Sequence, residues 1–275
     1  MVLIKTPLVT ASWLNQNLIE PNIVVLDASI NKVADKSQKH ESKQIPNTLF
    51  FNIKHRFSDV SAPFPNTVPS KTHFNKEAQT LGINNDSAVV VYDDKGIYSS
   101  ARAWYLFKAF GFNNVAVLDG GLPEWKKAGF QVEAKSSSNV LLKGDFEGKY
   151  NSNYFKFFDD IQNLSNNSGC QILDARSNER FTGSVPEPRA GLRSGIIPNS
   201  INLPFKSLMN GNCMKSREDL TVIFKRLSHS EKKLVFTCGS GITACILALA
   251  AEIVGLQDIS VYDGSWTEYG TLIKN

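Results

Sequence analysis

Phe236-Thr237-Cys238-Gly239-Ser240-Gly241-Ile242-Thr243-Ala244, read FTCGSGITA, decides how the rest of the chain is understood. Leu234–Thr237 is a short apolar, β-branched run, the pattern of a buried strand. Ile242–Val254 is apolar almost all round, with closely spaced alanines, and predicts a buried helix stopped by Gly255. Between them stands one cysteine followed by Gly-Ser-Gly. A thiol at a strand-to-helix junction faces free backbone N–H groups and the positive end of a helix dipole, which favour a nucleophilic thiolate. The two glycines allow backbone angles that aim successive N–H groups at the sulfur. Most lone cysteines are small buried hydrophobes, and Cys170, Cys213 and Cys245 are read that way. Cys238 differs because it sits at the carboxyl end of a strand, where open α/β sheets place their ligands.

Working outward, the second half of the chain repeats the first. Leu26-Asp27-Ala28-Ser29 matches Leu173-Asp174-Ala175-Arg176. Ile45-Pro46-Asn47-Thr48 matches Ile197-Pro198-Asn199-Ser200. Val89-Val90-Val91-Tyr92-Asp93 matches Leu234-Val235-Phe236-Thr237-Cys238, and Val117-Leu118-Asp119-Gly120 matches Val261-Tyr262-Asp263-Gly264. The offsets are 147, 152, 145 and 144 residues, in unbroken order, so the chain is a tandem duplication. Strands are expected at Ile23–Leu26, Ala88–Tyr92, Val115–Leu118 and Gln171–Leu173. Helices are expected from Thr10 to Leu18, at Thr72–Leu81, Ala101–Phe110 and Phe155–Leu164, and a short one at Pro123–Lys127. Lys54–Ser70 reads as a Pro-rich polar loop. Alternating strands and helices imply an α/β fold, with a parallel sheet covered by helices on both faces in each copy. The copies are assigned to residues 1–135 and 146–275, with a polar linker over 136–145. The position of Cys238 holds Asp93 in the first copy. One copy therefore carries the chemistry and the other serves as scaffold and cleft wall.

Composition narrows the function classes. The 275 residues carry a net charge of +4 with 20% charged residues, only mildly basic. No Lys/Arg block or basic-aromatic stripe appears, which argues against nucleic acid, while a mild positive balance suits a small anionic substrate. Four cysteines without paired spacing argue against a disulfide framework, and no Cys-x-x-Cys or His-x-x-x-His pattern suggests a metal; no cofactor is expected. The start of the chain, MVLIKTPLVTASWLNQ, lacks a long apolar segment, and no stretch reaches membrane-span length. A soluble protein of a reducing compartment is expected, most simply the cytoplasm.

The CGSGITA loop, the two Ile-Pro-Asn turns and Asp263-Gly264-Ser265-Trp266-Thr267-Glu268-Tyr269-Gly270 together resemble the tandem-domain rhodanese sulfurtransferases. The likeness covers essentially the whole chain and implies two tandem rhodanese-like domains, the second catalytic. The form CGSG(I/V)TA is that of 3-mercaptopyruvate sulfurtransferases, whereas thiosulfate sulfurtransferases of this fold typically carry charged residues, as in CRKGVTA. The resemblance implies that Cys238 takes sulfur from the donor as a persulfide, releases pyruvate and passes the sulfur to an acceptor. That acceptor is cyanide or a thiol, such as that of a thioredoxin-like protein. The backbone of Gly239, Gly241, Ile242 and Thr243 would then bind the sulfur through charge-assisted hydrogen bonds. An R-F…P-R pair nine positions apart anchors the donor's carboxylate in that family, and Arg180-Phe181 with Pro188-Arg189 matches it. Arg176 is read as a structural pairing residue and Arg193 as surface.

Ser240 is implied in a Ser-His-Asp proton relay, but here the chain departs from the family. The acidic position falls at Lys54 and the imidazole position at Asn66. Asp59 and His73 lie nearby without being placed at Cys238, so the relay is absent or rebuilt and proton transfer through water is expected. His40, His55, His73 and His229 read as surface or loop residues, and Asp263–Gly270 as structural. The competing readings are a thiosulfate sulfurtransferase, a non-catalytic persulfide carrier and a phosphatase. The last needs an arginine six residues after the cysteine, where Ala244 stands.

Overall fold

The computed structural model describes residues 1–33, 41–135, 142–165, 169–227 and 232–273. His40, His229 and most of the expected linker (136–141) lie outside these residues. Two five-stranded sheets form, all parallel, and the same strand order recurs in both. In the first half the order is Leu49–Phe50, Ile23–Asp27, Ala88–Tyr92, Val115–Leu118 and Leu8–Val9. In the second it is Ser200–Asn202, Cys170–Asp174, Lys233–Thr237, Ile259–Tyr262 and Phe155–Lys156. The duplication read from the matched strands is thus a duplication of topology.

Alternation along each strand sends side chains to opposite faces, and helices cover both. Val25, Val90, Ala116 and Leu118 pack with the helices Ala11–Asn17 and Gly121–Lys127, while Val89, Val91, Val115 and Val117 pack with Lys71–Thr80 and Ser100–Ala109. The second half repeats this with Phe158–Leu164 and Ser265–Leu272 on one face and Arg217–Leu227 and Ala244–Ile253 on the other. The equivalent helices Ser100–Ala109 and Ala244–Ile253 pack against each other between the halves. This explains why each is buried nearly all round: one side faces its own sheet and the other its counterpart. One hydrophobic core consequently runs from Phe74, Phe107 and Phe110 to Phe236, Leu247 and Leu249.

Three local expectations change. Phe155–Lys156 is not helical: it is an edge strand beside Val261–Tyr262, the counterpart of Leu8–Val9, and the helix starts only at Phe158. Two residues are too few to show a strand period, and the following apolar residues drew the helical pattern back over them. The helix after the cysteine starts at Ala244, leaving Gly239–Thr243 as an open loop. Arg193 is not at the surface: its guanidinium lies 4.8 Å from the Trp266 ring centroid and its Nε donates to the Ile273 carbonyl at 3.0 Å. Both Ile-Pro-Asn turns place their asparagine in the left-handed region, Asn47 at φ 60° and Asn199 at φ 58°, a conformation asparagine tolerates better than most residues.

Candidate active site

Cys238 follows the last residue of the strand Lys233–Thr237 and lies on the floor of a cleft of about 860 Å³ lined by both halves. Only 2% of the residue is exposed, and that exposure opens into the cleft. The second half contributes Gly239, Ser240, Ile242, Thr243, Arg180 and Arg189. The first contributes the loop from Ser58 to Asn66, together with Lys54 and Tyr98. The first half therefore forms one wall of the cleft that holds Cys238, as expected.

Four carbonyls of the loop are held by hydrogen bonds. Trp266 N–H donates to the Cys238 carbonyl at 3.0 Å and Thr267 N–H to that of Gly239 at 2.9 Å. The Ser240 carbonyl accepts from Asn66 Nδ2 at 2.9 Å, and that of Gly241 from Arg102 Nη1 at 3.3 Å. The N–H groups of Ser240, Thr243 and Ala244 have no acceptor among the described residues. Those of Cys238 and Gly241 donate to Ser265 Oγ at 3.2 and 3.1 Å, and that hydroxyl lies 3.9 Å from Cys238 Sγ. Gly241 sits at φ +73°, where a Cβ would come 2.6 Å from the Asp263 carbonyl oxygen, so glycine is required there.

The first copy shows what such a loop holds. Asp93 stands where Cys238 stands, and its carboxylate accepts from the N–H groups of Lys95 at 2.9 Å, Tyr98 at 2.7 Å, and Ser99 and Ser100 at 2.9 Å. At the chain offset of Asp93 to Cys238, Lys95, Tyr98 and Ser99 correspond to Ser240, Thr243 and Ala244, whose N–H groups are free. The loop cradles a carboxyl group, and in the second copy three of the four backbone donors are open, the fourth, Cys245 N–H, donating to the Ile242 carbonyl at 3.2 Å.

The two arginines differ in readiness. Arg180 donates Nε to Glu187 Oε1 at 3.3 Å and Nη2 to Oε2 at 2.5 Å, which leaves its outer edge for a ligand. Its Nη2 would be 2.9 Å from a Cβ on Gly239, so it occupies the space a side chain at position 239 would need. The Arg189 guanidinium has no hydrogen-bond or ion-pair partner among the described residues. Burial lowers its pKa, and the nearby Cys238 charge acts in the opposite sense. Tyr98 is pushed up to about 12, by burial first and by the Cys238 charge second, so it stays a neutral donor in the cleft. Arg176 is structural, as expected: fully buried, it bonds Asp174 and Glu187 and lies 4.7 Å from the Trp266 ring centroid.

No Ser-His-Asp relay assembles among the described residues. Asn66, not an imidazole, meets Ser240. Asp59 lies on the cleft wall, accepting from Ser61. His73 is on the helix Lys71–Thr80 with Nε2 at 2.7 Å from the Arg56 carbonyl, and exposed His55 lines the cleft. Sequence reasoning missed Ser265, Asp263 and Arg102. Arg102 is fully buried, donates to Asp263 Oδ1 and to the Asn66 carbonyl, both at 2.7 Å, and through its bond to the Gly241 carbonyl ties the first half to the Cys238 loop. An arginine inside an otherwise apolar helix was the available signal, because a buried guanidinium demands a partner.

Two stretches, residues 10–128 and 158–271, match the model of the rhodanese-like domain. The 3-mercaptopyruvate sulfurtransferase of Mus musculus is 37% identical over 273 residues, covering 95% of this chain and 91% of the relative. The thiosulfate sulfurtransferase of Rattus norvegicus is 35% identical over 274 residues with the same coverage. The crystal structure of SseA from Escherichia coli, described as a 3-mercaptopyruvate sulfotransferase, superposes with a TM-score of 0.85 at 30% identity over 95% of this chain and 99% of that one. With the doubled topology and the cysteine cradle, these likenesses establish that the chain belongs to the rhodanese family as a two-domain sulfurtransferase.

Proposed function

We propose that the chain moves sulfur from 3-mercaptopyruvate through a Cys238 persulfide to a thiol or cyanide acceptor, releasing pyruvate. The Cys238 thiolate attacks the donor's sulfur, forming an S–S bond as the donor's C–S bond breaks and its electron pair leaves as the pyruvate enolate. The proton from the donor's S–H ends on the enolate carbon, so the net change is thiolate plus mercaptopyruvate to persulfide anion plus pyruvate. The observation that carries this reading is the open cradle at Ser240, Thr243 and Ala244, whose counterparts hold a carboxylate in the first copy. Those donors suit the terminal sulfur of a persulfide anion, and Arg189 with the outer edge of Arg180 suits the donor's carboxylate.

Overall identity does not choose the donor, since relatives named for either are matched about equally. The Gly239 position favours mercaptopyruvate. Arg180 fills the room a charged residue at 239 would take, which puts positive charge on the wall rather than beside the sulfur. That suits a carboxylate two carbons from the reacting atom better than a sulfonate bonded to it. All four cysteines are free, in keeping with a reducing compartment. Among the described residues no helix is long and apolar enough to cross a membrane. Intact-mass measurement after exposure to mercaptopyruvate tests the reading: one added sulfur is expected on the wild type and none on Cys238→Ser. No addition on the wild type removes the enzyme reading, and faster turnover with thiosulfate reverses the donor choice.

A further inference from the structure

Asn66 Nδ2 lies 2.9 Å from the Ser240 carbonyl oxygen and 3.2 Å from Ser240 Oγ. A carbonyl oxygen only accepts, so the amide nitrogen, not the amide oxygen, faces Ser240. Its two hydrogens are directed at these two atoms, which makes Ser240 Oγ an acceptor on that side. The hydroxyl's own proton is left for the cleft, which Ser240 lines. Asn66 is itself held firmly. It is 8% exposed, sits at φ 64°, and its carbonyl accepts from Arg102 Nη2. Asp263 pairs with Arg102 and accepts the Val68 N–H at 2.7 Å, which fixes the loop on both sides of the asparagine.

We infer that Asn66 is a positioning residue that fixes the Ser240 hydroxyl as a hydrogen-bond donor to the donor's carbonyl oxygen, which becomes the enolate oxygen as the C–S bond breaks. This inference rests on the function proposed above. The proton balance makes it sufficient: the donor's S–H supplies the proton the enolate carbon needs, so no side chain must titrate. What the step requires is stabilisation of negative charge on oxygen, and a hydroxyl locked as a donor supplies that. The charged or titratable groups that share the cleft with Ser240 are Cys238, Tyr98, Arg176, Arg180, Glu187 and Arg189, with Lys32, Lys54, His55, Asp59 and Lys206 further along its walls and Arg102 and Asp263 behind Asn66.

The substitution Asn66→Asp tests this, because it preserves size while replacing the N–H donor with an acceptor. At pH 8 the Ser240 hydroxyl must then turn toward the carboxylate and away from the cleft. We expect kcat with mercaptopyruvate to fall at least about tenfold, the worth of one well-placed hydrogen bond. KM stays within about twofold because the arginine anchors are untouched. Ser240→Ala alone gives a similar loss, and the double variant is no slower than the worse single one by more than about twofold. A rate kept or raised in Asn66→Asp would mean that Ser240 works with a base, and losses that multiply in the double variant would mean that Asn66 acts independently of Ser240. Either overturns the inference while wild-type persulfide still forms. A wild type that forms no persulfide overturns the underlying reading and this one with it.

Discussion

Gly239→Ala isolates the donor anchor from the sulfur cradle. The position is not in the left-handed region, and the three nearest atoms a Cβ would meet all belong to the Arg180 guanidinium, Nη2 being 2.9 Å away. Ordinary contact begins at 3.4 Å, so the guanidinium must retreat by about 0.5 Å. It is free to do so at the cost of its alignment with Glu187 and with a bound carboxylate, because a quarter of its side-chain surface is exposed. Misplacement of a binding group by ~1 Å can cost ~100-fold, so half of that displacement predicts about a tenfold fall in kcat/KM with mercaptopyruvate, ~1.4 kcal/mol. Most of the fall belongs in KM. Stability changes little, because a loop Gly→Ala replacement at compatible angles stabilises by ~0.4–1 kcal/mol through the unfolded chain, offsetting the crowding. Steady-state kinetics and thermal unfolding of Gly239→Ala, Arg180→Ala and the double variant check this. In the Arg180→Ala background the alanine should cost almost nothing further. An equal loss with the arginine already gone, or a loss in kcat at constant KM, would mean that the substitution disturbs the loop backbone and that Arg180 is not the anchor.

Three further outcomes follow from the same geometry. Arg102→Met leaves the Asp263 carboxylate buried without its cation, which predicts a loss of ~3–5 kcal/mol in urea denaturation; a loss under ~1 kcal/mol would show that the pair does not hold the halves together. Ser265→Ala leaves the N–H groups of Cys238 and Gly241 without the hydroxyl they share, costing ~1–3 kcal/mol and slowing sulfur transfer. Ser265→Gly relieves a φ of 51° yet loses the same hydroxyl; full sulfur-transfer rates in both variants would show that it plays no part. Burial first and Arg189 second hold Lys54 below the usual lysine range. As pH rises through that lowered value the cleft loses a positive charge, so KM for an anionic donor climbs on the alkaline side, and Lys54→Met should flatten the climb. An identical climb in wild type and variant would remove Lys54 from donor binding.

What could be read in advance followed local rules. Cys238 and Gly239 are marked by residue type and position, Arg180 and Arg189 by the family resemblance their spacing carries, and the structure brings these four to one cleft. The duplication was legible because strands and Ile-Pro-Asn turns recur in order, each carrying its own backbone demand. Asp263 was not legible as a partner of Arg102, since 161 residues separate them and Asp-Gly after a strand is also an ordinary turn. Ser265 was hidden for the same reason, its hydroxyl serving a loop 27 residues earlier in the chain. Arg193 failed because a charged residue in a Gly-rich loop looks solvated until an indole is known to lie beneath it.

The asymmetry between the copies explains why one fold holds both a scaffold and a site. In the first loop the fully buried Asp93 carboxyl is pushed up by burial and pulled back by the N–H groups of Ser100, Tyr98 and Lys95, so the cradle is closed by its own chain. The second loop keeps three of those N–H groups open but offers them a thiol, which is short of the Asp93 carboxyl by one hydrogen-bonding end. An added sulfur atom restores that reach: the outer atom of a persulfide stands one bond further out, as a carboxylate oxygen does beyond Cγ. On this argument the cradle stabilises the loaded cysteine more than the free one, because only the loaded form brings negative charge to the vacant donors. On the proposed function, the first loop is already filled by its own carboxyl group, whereas the second is left to be filled by sulfur in transit.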